Sequence, residues 1–275
     1  MTFILLSLLA CGETSPESLV DELRVIASVV NPPEVEPGAD FEVQTFFANP
    51  EGGDARAVTW VCTNLGDGCL EAVGGSSSLQ STSTEGDADT WTHDHTITDL
   101  LTPVVAEAET LTATQLWTLY CEADLCPLID EVAALEPTSA WPDALHDQLA
   151  NPLEWMTELP MEGVSLAYQL ITTSVTDTPH ANPIIEPDSD NPTELKRGKD
   201  FELSVDVSGD FSDQAEFYNY ISAGGFKNSS FFITDNKTLK VEGVAPESGD
   251  SVNIWLVLVD GFGGIAVWTQ EFPVN

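Results

Sequence analysis

Positive charge is what this 275-residue chain has least of: eight Lys and Arg stand against 46 Asp and Glu, a formal net charge of -38 at pH 7. A surface of that sign repels phosphate backbones and anionic headgroups at every approach, which excludes nucleic acid as a partner. Long apolar runs are also missing. After the first ten residues nothing approaches the roughly 18 to 20 apolar residues that a bilayer-spanning helix needs. The chain holds no G-x-S-x-G, no P-loop, no G-x-G-x-x-G opening a helix and no H-E-x-x-H. It therefore lacks the local signatures of common nucleophile, nucleotide and zinc-hydrolase chemistries. With 46 acids, carboxylate pairs are countless, but nothing in the sequence selects two of them for glycoside cleavage. The expectation is a protein that is not an enzyme.

What is present is enough apolar material for a real core, 42% of residues, so the chain is not a disordered tail. Residues 1–179 carry 30 acids and only Arg24 and Arg56 as bases; residues 180–275 carry 16 acids and six bases. With so few cations most carboxylates are solvated by water and counter-ions, and low ionic strength penalises folding. The spread of acids along the whole chain reads as adaptation to salty surroundings rather than as one acidic binding face.

The first eleven residues read as an address. Phe3 to Ala10 is a short apolar block ending in a small residue, followed by Cys11 and a polar stretch, the order of a secretory signal. Leu8-Leu9-Ala10-Cys11 resembles the lipobox of bacterial lipoproteins. That resemblance implies cleavage before Cys11 and acylation of its sulfur and new amino group, with Gly12 rather than Asp pointing to the outer membrane. Several acyl chains, at about 0.8 kcal/mol per buried methylene, make desorption negligible. Residues 12–22 are expected to be a polar linker.

Secretion accounts for the other cysteines. Cys62, Cys69, Cys121 and Cys126 are even in number and allow three pairings. The local pairs Cys62 with Cys69 and Cys121 with Cys126 are favoured, because Asn64, Gly66, Asp67 and Gly68 supply a turn that brings the first two together. Intervals of six and four residues, in an oxidising compartment, favour disulfides over zinc.

Leu23 to Val30 and Phe41 to Ala48 are β-branched and aromatic runs separated by Asn31-Pro32-Pro33 and Pro37-Gly38, so they read as strands joined by a corner. Further strands are expected at Arg56 to Cys62, Thr90 to Ile97, Thr112 to Cys121 and Val164 to Val175, with Gly74 to Gly86 as a loop. Residues 127–160 break the rhythm: Leu145, Leu149, Leu153 and Met156 recur at helical spacing, predicting a helical insert. After a linker at 179–195, strands recur at Phe201 to Val207, Glu216 to Ser222, Ser230 to Thr234 and Thr238 to Val241. A hairpin, Val252 to Val259 with Ile265 to Phe272, ends the chain around a glycine-rich turn. The organisation is a signal and linker at 1–22, a sandwich at 23–178 with its helical insert, a linker at 179–195, and a second sandwich at 196–275. The fold class is mainly β, two tandem immunoglobulin-like sandwiches.

The phrases LRVIASVVNPPEVEPGADFEVQTFFANPEGG, HANPII and IWLVLVDGFGGIAVW resemble two-module lipoproteins of predatory and social Gram-negative bacteria. That resemblance implies two Ig-like or PKD-like sandwiches behind a lipobox, and it adds no catalytic residue.

Candidate sites remain sparse. His93 and His95 sit at i and i+2 of a strand, where two imidazoles can share a metal, but no third ligand lies nearby, so a solvated strand face is the preferred reading. His146 and His180 lack a supporting motif. Glu186, Asp188, Asp190 and Asn191 set four oxygen ligands at short spacing between the sandwiches, as Ca²⁺ requires, although the EF-hand pattern is absent. No cofactor beyond that possible Ca²⁺ is expected. Trp141 and Trp155 in the insert are candidate interaction anchors. The functional expectation is an outer-membrane lipoprotein of the cell envelope, facing the periplasm or the cell surface. It would bind a protein or glycan without catalysis. The alternatives are an accessory subunit of an outer-membrane complex and a metal-dependent hydrolase using His93 and His95.

Overall fold

The computed structural model describes residues 18–20, 24–35, 40–48, 54–62, 80–85, 90–96, 112–122, 164–173 and 180–275. These residues form strands and no α-helix, so the chain is mainly β, as its composition of β-branched runs between Pro and Gly corners predicts. Cys11, Cys69, Cys126, Trp141, Trp155, His146 and the insert at 127–160 lie outside the described residues.

The first sandwich contains β1 (Arg24–Asn31), β2 (Glu34–Val35), β3 (Asp40–Ala48), β4 (Asp54–Cys62), β5 (Gln80–Glu85), β6 (Thr90–Thr96), β7 (Thr112–Glu122) and β8 (Val164–Thr173). One sheet runs β1-β3-β6 and the other β2-β8-β7-β4-β5. Pro32 and Pro33 have no N–H to give a ladder, so β1 stops there and the chain changes sheets. Glu34 and Val35 then pair in parallel with Thr172 and Thr173 of β8. Between the sheets lie Val30, Val43 and Phe47, together with Ser28 and Thr45, whose hydroxyls satisfy each other at 3.0 Å.

The second sandwich contains β9 (Ile184–Pro187), β10 (Asp200–Ser208), β11 (Glu216–Ile221), β12 (Gly225–Phe226), β13 (Ser230–Phe232), β14 (Lys237–Val244), β15 (Ser251–Val259) and β16 (Ile265–Pro273). Its sheets run β12-β14-β10-β9 and β13-β11-β15-β16, an immunoglobulin-type Greek-key arrangement. Strict alternation in β10 points Phe201, Leu203, Val205 and Val207 inward against Phe217, Leu256, Leu258 and Phe272. The outward positions of β10 and β14 carry charge instead. Lys240 donates to Glu202 at 2.7 Å, Lys227 to Glu242 at 3.1 Å, and Thr238 to Asp206 at 2.5 Å. Those cross-strand pairs offset the like charges of Glu202 and Glu242, which stand directly opposite each other. The Glu202 hydrogen bond holds the Lys240 ammonium above the usual lysine range.

Three expectations are corrected. The stretch 179–195 is not all linker, because Ile184–Pro187 adds an edge strand to the second sandwich along Val205–Ser208. The expected loop from Gly74 to Gly86 contains β5, whose Ser and Thr residues pair with β4 through Gln80 to Glu85. Residues 18–20 of the expected linker at 12–22 are docked: Leu19 bridges Ile221, Val20 N–H donates to the Ile221 carbonyl at 2.9 Å, and Val20 is buried.

Candidate functional site

Among the described residues the most built feature is the junction between the two sandwiches. β15 reads Ser-Val-Asn-Ile-Trp-Leu-Val-Leu-Val, and its residues from Ile254 to Leu258 are all buried. A strand of one half-solvated sheet alternates; a strand covered on both faces does not. Ile254, Leu256 and Leu258 face the core of the second sandwich. Trp255 and Val257 face the other way and join Val20, Ile26, Phe46, Ala48 and Ile265 in a separate apolar cluster. A β-bulge makes part of this contact: the β1–β3 register slips between Val25 and Ala27, and the extra residue, Ile26, turns into the cluster. At the lower edge the Arg24 guanidinium lies 5.0 Å from the centre of the Tyr220 ring, which stacks beside Tyr218. Burial raises the pKa of both tyrosines; at Tyr218 its hydroxyl's hydrogen bond to Glu216 at 2.7 Å adds to this, and at Tyr220 the Arg24 charge opposes it.

The upper edge is fastened by polar groups. Asp260 opens the β15–β16 turn and is fully buried. Its Oδ1 accepts the N–H groups of Phe262 at 2.7 Å and Gly264 at 2.9 Å, a local acceptor pattern that Asp-Gly turns favour. Gly264 is required there, since a Cβ would sit 2.1 Å from the Asp260 carboxylate. The second carboxylate oxygen takes His180 Nε2 at 2.6 Å. An ionised carboxylate only accepts, so the imidazole donates from Nε2. The His180 backbone N–H reaches Glu34 in the first sandwich at 2.8 Å, and its ring meets Phe262 edge-on. Two residues on, Asn182 donates to the Val30 carbonyl at 2.8 Å and accepts from Ile265 N–H at 2.9 Å. His180 and Asn182 thus bridge β1 and β2 to the terminal hairpin. Residues 180–182 act as a clamp.

The residues singled out from sequence fare differently. The amide of Asn191 pairs both ways with the Ser204 backbone, at 2.8 and 2.7 Å. Asp188 caps the Asp190 N–H at 2.9 Å, and Glu186 projects from the edge strand β9. Among the described residues no three His, Cys, Asp or Glu side chains come together as a metal site. His93 and His95 occupy β6, in register with Val43 and Phe41. Cys62 stands opposite Gln115 and Cys121 opposite Arg56 in the β4–β7 ladder, six register positions apart, so a direct bond between these two is excluded by roughly 20 Å of strand. Sequence reasoning passed over His180, Asn182 and Asp260. Their signals, the phrases HANPII and DGFGG, were visible, but their meaning needed partners some 80 and 150 residues away.

Exposed large apolar residues in the described part are Ile184, Phe262 and above all Phe232, 71% exposed on the three-residue outer strand β13. Phe232 stands opposite Glu216, on the same sheet face as Tyr218.

No family model matches the chain, and no curated protein matches it either. Among solved structures it is similar to red sea bream transglutaminase, with 10% identity over 93% of this chain and a TM-score of 0.30, and it spans 32% of that enzyme's length. It is also similar to the D0–D1 domain of intimin, with 13% identity, 90% of this chain and 98% of that one covered, and a TM-score of 0.25. A conjugative transposon lipoprotein of Bacteroides eggerthii shares 19% identity over 33% of this chain and 95% of its own, with a TM-score of 0.25. Likenesses at this level carry no argument about activity.

Proposed function

We propose that this chain is a lipid-anchored, non-catalytic protein of the cell envelope. In this reading Cys11 carries the acyl chains in the outer membrane, and the two clamped sandwiches form one body that binds an envelope protein or glycan. The observation that supports it is Phe232: a phenyl ring 71% exposed on an outermost strand, on the same sheet face as Tyr218, where comparable aromatics such as Phe217 are fully buried. Exposed aromatics on open sheet edges are what binding surfaces use. The proposed disulfides remain Cys62 with Cys69 and Cys121 with Cys126.

The test is retention of purified protein on cell-wall glycan and on solubilised envelope proteins. The expected result is specific retention that falls at least tenfold in Phe232→Ala with the fold intact by circular dichroism, since an aromatic anchor is worth about 1.4 kcal/mol or more. Retention by neither class of partner contradicts the binding reading. Intact mass gives the anchor: acyl mass on a chain beginning at Cys11 supports it, and a chain still beginning at Met1 contradicts it.

A further inference from the structure

β13 is the outermost strand of its sheet, and its ladder fixes which of its backbone groups stay open. Its one partner strand among the described residues is β11. Ile233 N–H donates to the Ala215 carbonyl and Asn219 N–H to the Ser229 carbonyl, both at 2.9 Å. Hydrogen-bonded pairs alternate along an antiparallel ladder, so Phe231 and Phe217 form the bonded pair between these two. Ser230 and Phe232 fall on the other parity, and their N–H and C=O groups turn away from β11 toward the open edge. Ile233 is fully buried and Phe231 packs on the sandwich core, so the strand is held in place. The same side of β11 already takes one added segment. At Ile221, beyond the end of β13, the carbonyl accepts Val20 N–H at 2.9 Å.

The side chains on this edge continue the contact between the sandwiches. On the face that carries Trp255 and Val257 into that contact, Tyr218 stands opposite Val257 and Ser230, and Glu216 opposite Val259 and Phe232. Phe232 is thus the outermost apolar member of a face whose inner members the first sandwich covers, and it is itself exposed. Charge selects its partner. β11, β13 and the turns at their ends carry Asp210, Asp213, Glu216 and Asp235 against Lys227 and Lys237. Lys227 is 3.1 Å from Glu242 and 3.7 Å from Asp200, and Lys237 is 4.0 Å from Asp235. Arg24 reaches the same face from β1 and lies against Tyr220. A second copy of a chain at -38 is repelled, as is any acidic protein, whereas a basic segment is drawn in. The spread acids set the sign of the partner, and the open backbone and Phe232 supply the contact.

We propose that β13 takes up, as an added β-strand, an extended basic segment of an envelope protein, with an arginine or lysine side chain laid over Phe232 and reaching toward Glu216, as Arg24 lies over Tyr220. This rests on the binding reading above and selects protein rather than glycan. Four open backbone groups are few, so the ring supplies much of the grip. The probe is a fluorescent ten-residue peptide of alternating arginine and valine, titrated into the full chain by anisotropy, with hydrogen exchange of the Ser230 and Phe232 amides followed by NMR. Binding should weaken at least tenfold in Phe232→Ala with the fold intact by circular dichroism, return in Phe232→Tyr, and vanish when glutamate replaces every arginine. N-methylation of one alternate set of peptide nitrogens, the arginines or the valines, should weaken binding at least tenfold and of the other set less than twofold. Bound peptide should slow exchange at Ser230 and Phe232 at least tenfold. A peptide that binds with both amides unprotected, or is indifferent to both methylations, overturns strand addition. Equal binding of the glutamate peptide overturns the basic partner. No peptide bound by a chain that still retains envelope proteins through Phe232 overturns this inference alone, and retention of neither glycan nor envelope protein overturns it together with the binding reading.

Discussion

Replacing Asp260 separates two jobs that one carboxylate performs. Asp260→Asn keeps a carbonyl oxygen for the Phe262 and Gly264 N–H groups but sets an amide N–H₂ against the His180 Nε2 that donates at 2.6 Å. One charge-assisted hydrogen bond is lost, about 1.5 to 3 kcal/mol, less whatever the imidazole recovers by offering its other tautomer. Asp260→Ala loses that bond and also the shared acceptor of the part-buried Phe262 N–H and the buried Gly264 N–H, at roughly 1 to 3 kcal/mol each. The expected costs are about 2 kcal/mol for Asn and 4 to 6 kcal/mol for Ala. His180→Ala removes the same bond from the other side and should match Asp260→Asn. Urea unfolding followed by circular dichroism measures all three and the double variant Asp260→Asn/His180→Ala. The double variant should cost little more than either single, a coupling of about 2 kcal/mol. Two results refute the reasoning: Asn and Ala at 260 costing the same, or His180→Ala and Asp260→Asn adding to within about 0.5 kcal/mol.

Trp255→Ala should destabilise the chain by about 3 to 5 kcal/mol although Trp255 lies outside both sandwich cores, and denaturant titration should show a smaller loss for the half-buried Trp268→Ala. Tyr218 and Tyr220 hold their protons beyond the ordinary tyrosine range because burial disfavours the phenolate. Folded values above the unfolded ones leave stability intact below about pH 10 and remove it as pH rises toward the folded values. Urea midpoints in that alkaline range should therefore fall less steeply for Tyr218→Phe/Tyr220→Phe than for the unaltered chain. With a net charge of -38, the thermal midpoint should climb with NaCl over a range where a charge-balanced domain is flat, and calorimetry at rising salt reads this directly.

Local patterns carried most of the fold. β-branched runs between Pro and Gly corners located β1, β3, β10, β15 and β16 to within a residue or two at their ends. The strands that escaped, β2, β9 and β12, are two to four residues long and exist only through their partners, and β5 is a Ser and Thr run without an apolar face. The continuous apolar run of β15 marked a buried strand but not what covered its second face, since the β1–β3 sheet that does so lies some 200 residues upstream. Asp260-Gly261-Phe262-Gly263-Gly264 was legible as a turn; that its carboxylate also holds His180 was not, because nothing local distinguishes a histidine in a linker from one in a clamp. The role of Asn191 in pairing both ways with the Ser204 backbone was likewise not legible, because that partner lies on β10 rather than among its acidic neighbours.

The His180 and Asn182 bonds join the two sandwiches as one body. Spin labels on non-cysteine side chains at Asn31 and Asp235, both exposed and in different sandwiches, report the distance between them by pulsed dipolar spectroscopy. A single narrow distance, unchanged from low to high salt and broadened by His180→Ala/Asn182→Ala, is the predicted result. A broad distribution in the unaltered protein would contradict it.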